Sequence, residues 1–124
     1  MIAAIAFASL IGLLVLFQLA LALGAPWGRL AWGGQHRGVL PRGYRIGSLV
    51  VILVYGFFAT VALGRVELLA WYPVGFAQVA MWVIFGVLAL GVLMNAISRS
   101  KPERYVMTPV ALVLAVLALL VALS

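Results

Sequence analysis

Apolar residues fill this chain in long unbroken blocks, not in narrow stripes. Four runs carry no charged side chain: residues 1–28, 46–64, 68–98 and 105–124. A helix of about 20 apolar residues crosses the ~30 Å hydrocarbon layer of a bilayer, and each run holds such a stretch. Inside lipid the backbone has no water to bond, so a spanning segment is either a helix or a strand of a closed barrel. Barrel strands alternate apolar and polar positions, and a segment such as "ALVLAVLALLVAL" does not. The pattern predicts an all-α, polytopic integral membrane protein: a four-transmembrane-helix bundle forming a single membrane domain over 1–124. Its helices are predicted near 2–24, 46–64, 73–97 and 106–123. The first run has no basic start and exceeds the roughly 7–15 apolar residues of a signal peptide, so it is predicted to be a retained helix.

Composition closes off the soluble alternatives. The chain is 68% hydrophobic and 8% charged, with eight basic residues against two acidic ones. A soluble domain of this size needs a charged exterior that ten charges do not supply. A disordered chain would be poor in aliphatic side chains. Cysteine is absent, which removes disulfides, thiolate chemistry and Cys-based metal sites.

Charge placement orients the spans. Four crossings put both termini on one side and the first and third connections on the other. Seven of the eight basic residues fall in those two connections: Arg29, Arg37, Arg42 and Arg45 in the first, Arg99, Lys101 and Arg104 in the third. Arg65 lies opposite, beside Glu67. Basic excess over short loops marks the cytoplasmic face, so the expectation is a multi-pass cell-membrane protein with cytoplasmic basic loops and its termini outside or periplasmic. Aromatic residues favour the membrane–water boundary. Trp27 and Trp32 are expected as anchors at the inner boundary, with Trp71 and Tyr72 at the outer one. Glu103 beside Lys101 and Arg104 reads as a solvated interfacial charge worth little energy.

Small residues recur at helical spacing in two spans: Ala4, Ala8, Gly12, Ala20 and Gly24 in the first, Ala111, Ala115, Ala118 and Ala122 in the fourth. Close packing of small residues holds helices together in lipid, so both rows are expected against other helices. Gln18, Gln78 and Asn95 are possible intramembrane polar contacts, with Gln18 and Asn95 placed to join across helices. No carboxylate or lysine occupies a span centre, which argues against a proton-coupled carrier.

The least lipid-like segment is the first basic loop, 25–45, preceded by Gly24: "GAPWGRLAWGGQHRGVLPRGYR". Its glycines let backbone approach backbone closely, and its prolines punctuate the ends. Arginine supplies fixed charge and bidentate phosphate donors, and tryptophan seats a loop at headgroup depth. Arg29, Arg37, Arg42 and Arg45 are therefore the candidate anion- or lipid-headgroup-binding residues. At this length the loop either lies on the membrane surface or packs onto the helix ends, and its aromatics favour the surface or a mixture. No phosphate-binding P-loop is present. His36 is the only histidine, with no metal-ligand set or catalytic partner beside it. Neither a cofactor nor a metal is expected, and no catalytic residue is assigned. The basic charge follows membrane topology, so nucleic acid is not an expected partner.

In length and span count alone the chain resembles the small multidrug-resistance transporters and the small dual-topology fluoride channels. The first group's acidic residue in the first span is missing here, and the second group's glycine/arginine/asparagine pattern is not recognisable. No residue role is carried over from either. The expectation is a small non-enzymatic structural or accessory protein, packing with itself or with a larger membrane complex and in contact with membrane lipids. The alternatives are a small oligomeric transporter or channel, and an anionic-lipid- or anion-binding membrane protein using the first basic loop.

Overall fold

The computed structural model describes residues 1–124 and is all-helical. Four long helices run in order: α1 (Ile2–Leu23), α2 (Arg42–Arg65), α3 (Val74–Ala96) and α4 (Thr108–Leu123). Each is long and apolar enough to cross a membrane; for the fourth this includes the turn Glu103–Met107 that leads into it. The chain thus has the make-up of a small multi-pass membrane protein. α1 packs on α2 and α4, and α3 on α4 and α2, which closes a four-sided bundle.

The helix ends follow from local chemistry. α1 stops at Gly24, whose φ of 106° only glycine adopts cheaply. The Ala25 N–H then reaches back to the Ala20 carbonyl at 2.9 Å, which satisfies a carbonyl that the helix end leaves unpaired. α3 starts after Pro73, where the missing N–H costs nothing. α2 starts at Arg42, four residues before the apolar run at 46, so Arg42 and Arg45 belong to its first turn and the loop ends at Pro41. The uncharged run marks what lipid tolerates, whereas the helix continues past it because long basic side chains carry their charge back to water. The fourth span has an irregular entry. Glu103–Met107 forms a π-helical turn before α4, next to Pro109, which has no N–H to give to the Tyr105 carbonyl and crowds it.

The tight core occupies the half of the bundle nearer the termini. Phe7, Ile11, Val61, Ala62, Met81, Ile84, Ala118 and Val121 are buried there. The small row of α4 lies in this packing: Ala115, Ala118 and Ala122 are buried. The row of α1 is split, with Ala4 buried and Gly12 exposed. Across this end the Arg65 guanidinium donates to the Ser124 main-chain oxygen.

At the opposite end the helices are closed by the first loop. Leu21, Ala31 and Leu40 form a second buried cluster, flanked by Phe17, Trp32 and Tyr44. The loop therefore packs onto the helix ends in its central part.

Candidate anion-binding site

The first loop is held by backbone crossing, which explains its glycines. Gly28 donates its N–H to the Gly38 carbonyl at 2.9 Å. A Cβ on Gly28 would overlap the His36 carbonyl oxygen and stand 2.6 Å from Gly38 O, so no side chain fits where the two strands of the loop cross. Three consecutive residues then take left-handed backbone: Trp32 (φ 54°), Gly33 (φ 74°) and Gly34 (φ 69°). Gly33 and Gly34 adopt it freely. Trp32 does not, because its Cβ crowds the backbone there, and three contacts hold it in place. Its indole Nε1–H donates to Ser48 Oγ at 3.2 Å. Its ring lies over Gly47, where a Cβ would come within 3.0 Å of it. Tyr44 meets it edge-on, with centroids 5.5 Å apart.

The turn at 32–34 is also tied to the third connection. Gly33 donates its N–H to Glu103 Oε2 at 3.1 Å, and Ser100 Oγ–H donates to the Arg29 carbonyl at 2.6 Å. Glu103 is only 4% exposed. The solvated surface charge expected at that position is instead an internal tether between loops 70 residues apart in sequence. Gly34 lies against Ser100 so closely that any Cβ would overlap the serine side chain.

This docking gathers four cations that sequence separates. Arg29 and Arg37 from the first loop and Arg99 and Lys101 from the connection after α3 line one hollow of about 690 Å³. Its remaining lining is Gly33, Gly34, Gln35, Ser100 and Pro102, with no acidic residue. All four cationic side chains are exposed, so they are hydrated in the free protein and available to an anion. Guanidinium forks bind phosphate oxygens bidentately and ammonium adds a point charge.

The four arginines expected to act together divide into two groups. Arg29 and Arg37 enter the hollow. Arg42 and Arg45 line a separate depression with Ala22, Ile46 and Leu49. Arg45 is already committed there: its Nε–H donates to the Ala22 carbonyl at 2.9 Å, closing the end of α1 and placing positive charge at its negative pole. Arg99 and Lys101 lie outside the loop whose sequence points to an anion. Nothing in their local sequence marks them; the Gly33–Gly34 pair, where Gly33 turns its N–H to Glu103 and Gly34 lets Ser100 approach closely, is the one sequence signal that the loop meets another segment.

The expected boundary anchors also divide. Trp27 is 44% exposed and stacks on Phe17 with centroids 6.3 Å apart, and Trp71 is 66% exposed. Trp32 instead points into the protein, onto Gly47 and Ser48, because its indole N–H has a buried hydroxyl to meet there. Tyr72 is turned inward too: its hydroxyl lies 2.9 Å from Thr60 Oγ1 and its ring meets Phe57 edge-on.

Of the intramembrane polar residues, Gln18 and Asn95 share a hollow with Tyr55 but do not bond each other. The Asn95 amide donates to the Gly91 carbonyl of its own helix at 2.9 Å, and Gln18 Oε1 is buried with no hydrogen-bond partner. Gln78 is exposed on α3 and Thr60 bonds to Phe57 O and Tyr72. These residues therefore do not line a single path through the bundle. Comparison of the chain with protein families, with curated proteins and with solved structures found no match.

Proposed function

We propose that this is a small non-enzymatic membrane protein that holds a phosphate-bearing anion at the end of the bundle where its two basic loops meet. The supporting observation is the convergence of Arg29, Arg37, Arg99 and Lys101 on one hollow without an acidic neighbour. Ordinary positive-inside anchoring requires basic charge near the boundary, but it does not require two loops to be tied together around that charge. The ties exist here, through Ser100 to Arg29 and Glu103 to Gly33. In this reading the basic end faces the cytoplasm and the ligand is a phosphomonoester group. An anionic lipid headgroup and a free phosphate share that chemistry.

The accessory role is a part of the same proposal. The α4 alanine row, one of the two faces available for association, is used inside the bundle, so the end carrying the hollow is the more specific surface for a partner. The test uses the protein in phosphatidylcholine nanodiscs containing a trace of fluorescent phosphatidic acid. Saturable binding at low mole fraction is expected. Displacement by millimolar inorganic phosphate would identify a free anion as sufficient, and resistance to it would identify the lipid as the ligand. Binding that rises linearly with mole fraction, without saturation, would refute the site.

A further inference from the structure

A second hollow lies on the inner side of the same turn; it shares the tether residue Glu103 with the docked loop but none of the four cations of the anion-binding hollow. Between the tight core and the loop the bundle is loosely filled. A crevice of about 270 Å³ runs among the four helices, with Leu14, Val51, Phe58, Leu88 and Val110 in its largely apolar lining. It shares Val51, Tyr55, Asn95 and Met107 with a hollow of about 210 Å³ beneath the loop. The two hollows thus share a wall, with the apolar one deeper in the bundle and the polar one beneath the loop. The π-helical turn that carries Glu103 and Met107 borders it, and such turns often occur at functional positions.

The only charged side chain at the polar end is acidic. Gln18 Oε1 is a buried acceptor with no donor, a costly condition in a low-dielectric interior. Glu103 lines the same hollow, is 4% exposed, and receives one hydrogen bond, from the Gly33 N–H. Asn95 uses its amide N–H on Gly91, leaving its carbonyl oxygen as an acceptor. No basic side chain lines this hollow; Arg29, Arg37, Arg99 and Lys101 line the one on the other side of the 32–34 turn. The aromatic rings of Trp32, Tyr55 and Phe17 complete its wall, and such rings attract cations.

We infer that the crevice binds an amphiphile with a primary ammonium head and an apolar tail. The head would donate to Gln18 Oε1 and Glu103 while the tail lies among Val51, Phe58, Leu88 and Val110. Charge complementarity selects this occupant: an alcohol would satisfy Gln18 but leave the carboxylate without a counter-charge, and an anionic head would face the Glu103 carboxylate with no basic side chain beside it.

The test uses the full chain in phosphatidylcholine nanodiscs, with Trp27, Trp71 and Trp82 replaced by phenylalanine so that Trp32 alone reports. Decylammonium, decanol and decyl sulfate are titrated, with empty discs correcting for partition. Decylammonium is expected to saturate the Trp32 signal at least tenfold below decanol, and decyl sulfate is expected not to saturate it. Glu103→Gln keeps an acceptor for the Gly33 N–H and is expected to bring decylammonium to the decanol level. Gln18→Leu, which leaves the loop tether untouched, is expected to weaken both donors. Equal binding of decyl sulfate, or an ammonium preference that survives both substitutions, would overturn the inference. Displacement of decylammonium by phosphatidylethanolamine would identify a bilayer lipid as the source of the head; its absence would identify a free amine of the same chemistry. Phosphatidic acid binding, read separately, reports on the cationic hollow, so either site can fail without the other.

Discussion

Replacing Gly28 with alanine is expected to release the first loop from the bundle while leaving the four helices formed. A methyl group at this position meets only backbone, the carbonyls of His36 and Gly38, and no rotamer change relieves that overlap. Small-to-large changes in tight packing cost about 1–3 kcal/mol. The Gly28–Gly38 hydrogen bond lost with them is worth about 1 kcal/mol more. The loop has the small cluster of Leu21, Ala31 and Leu40 and a few hydrogen bonds, through Trp32, Gly33 and Arg29, to resist this, so the loss is a large fraction of what holds it. Hydrogen exchange is the direct measure. Amides in 28–40 should exchange faster by about one and a half to three orders of magnitude, at ~1.4 kcal/mol per factor of ten. Those of α3 should be unchanged. Gly38→Ala is the control, because a Cβ there meets open space.

The second large effect is electrostatic. Removing Arg29, Arg37, Arg99 and Lys101 together by alanine substitution is expected to abolish the phosphatidic acid site. Basic residues near an anionic surface contribute about 1 kcal/mol each, so four account for about 4 kcal/mol, or roughly a thousandfold in affinity. All four side chains are exposed, and none donates to the ties that dock the loop: Arg29 takes part through its carbonyl. The variant should therefore keep the wild-type exchange pattern in 28–40 while binding is lost. Raising the salt should weaken wild-type binding in the same direction, because exposed charges are screened within about 8 Å at physiological ionic strength.

Together these expectations separate what was legible in the sequence from what was not. The four spans were legible because lipid penalises every charge and every unpaired backbone group, so uncharged runs and helices nearly coincide. The mismatch at the start of α2 arises because Arg42 and Arg45 are helical without being apolar. The common end of the two basic connections followed from counting crossings, and their contact through Ser100 and Glu103 agrees with that topology.

The site was only half legible. Arg29 and Arg37 stood out in a loop rich in glycine and tryptophan, whereas Arg99 and Lys101 looked like ordinary flanking charge. Which cations share a hollow depends on the docking of the 32–34 turn, a tertiary event without local periodicity. The burial of Glu103 is hidden from the sequence for the same reason. Its neighbours Lys101 and Arg104 suggest a solvated charge cluster, yet the partner that buries it is the backbone N–H of a residue in the other loop. Trp32 likewise shares the composition of a boundary anchor, and the serine that draws it inward lies 16 residues away.

A site built from specific cations and a diffuse basic surface respond differently to the loss of one charge. The most direct measurement compares two single substitutions that remove the same charge from the same end of the bundle. Arg99→Ala removes a cation lining the hollow, and Arg42→Ala removes an exposed one outside it. Phosphatidic acid affinity in nanodiscs is expected to fall about tenfold for Arg99→Ala, which loses a direct charge-assisted contact worth about 1.5 kcal/mol, and to stay within twofold for Arg42→Ala. Equal losses for the two substitutions would contradict the account and reduce the basic loops to a membrane anchor.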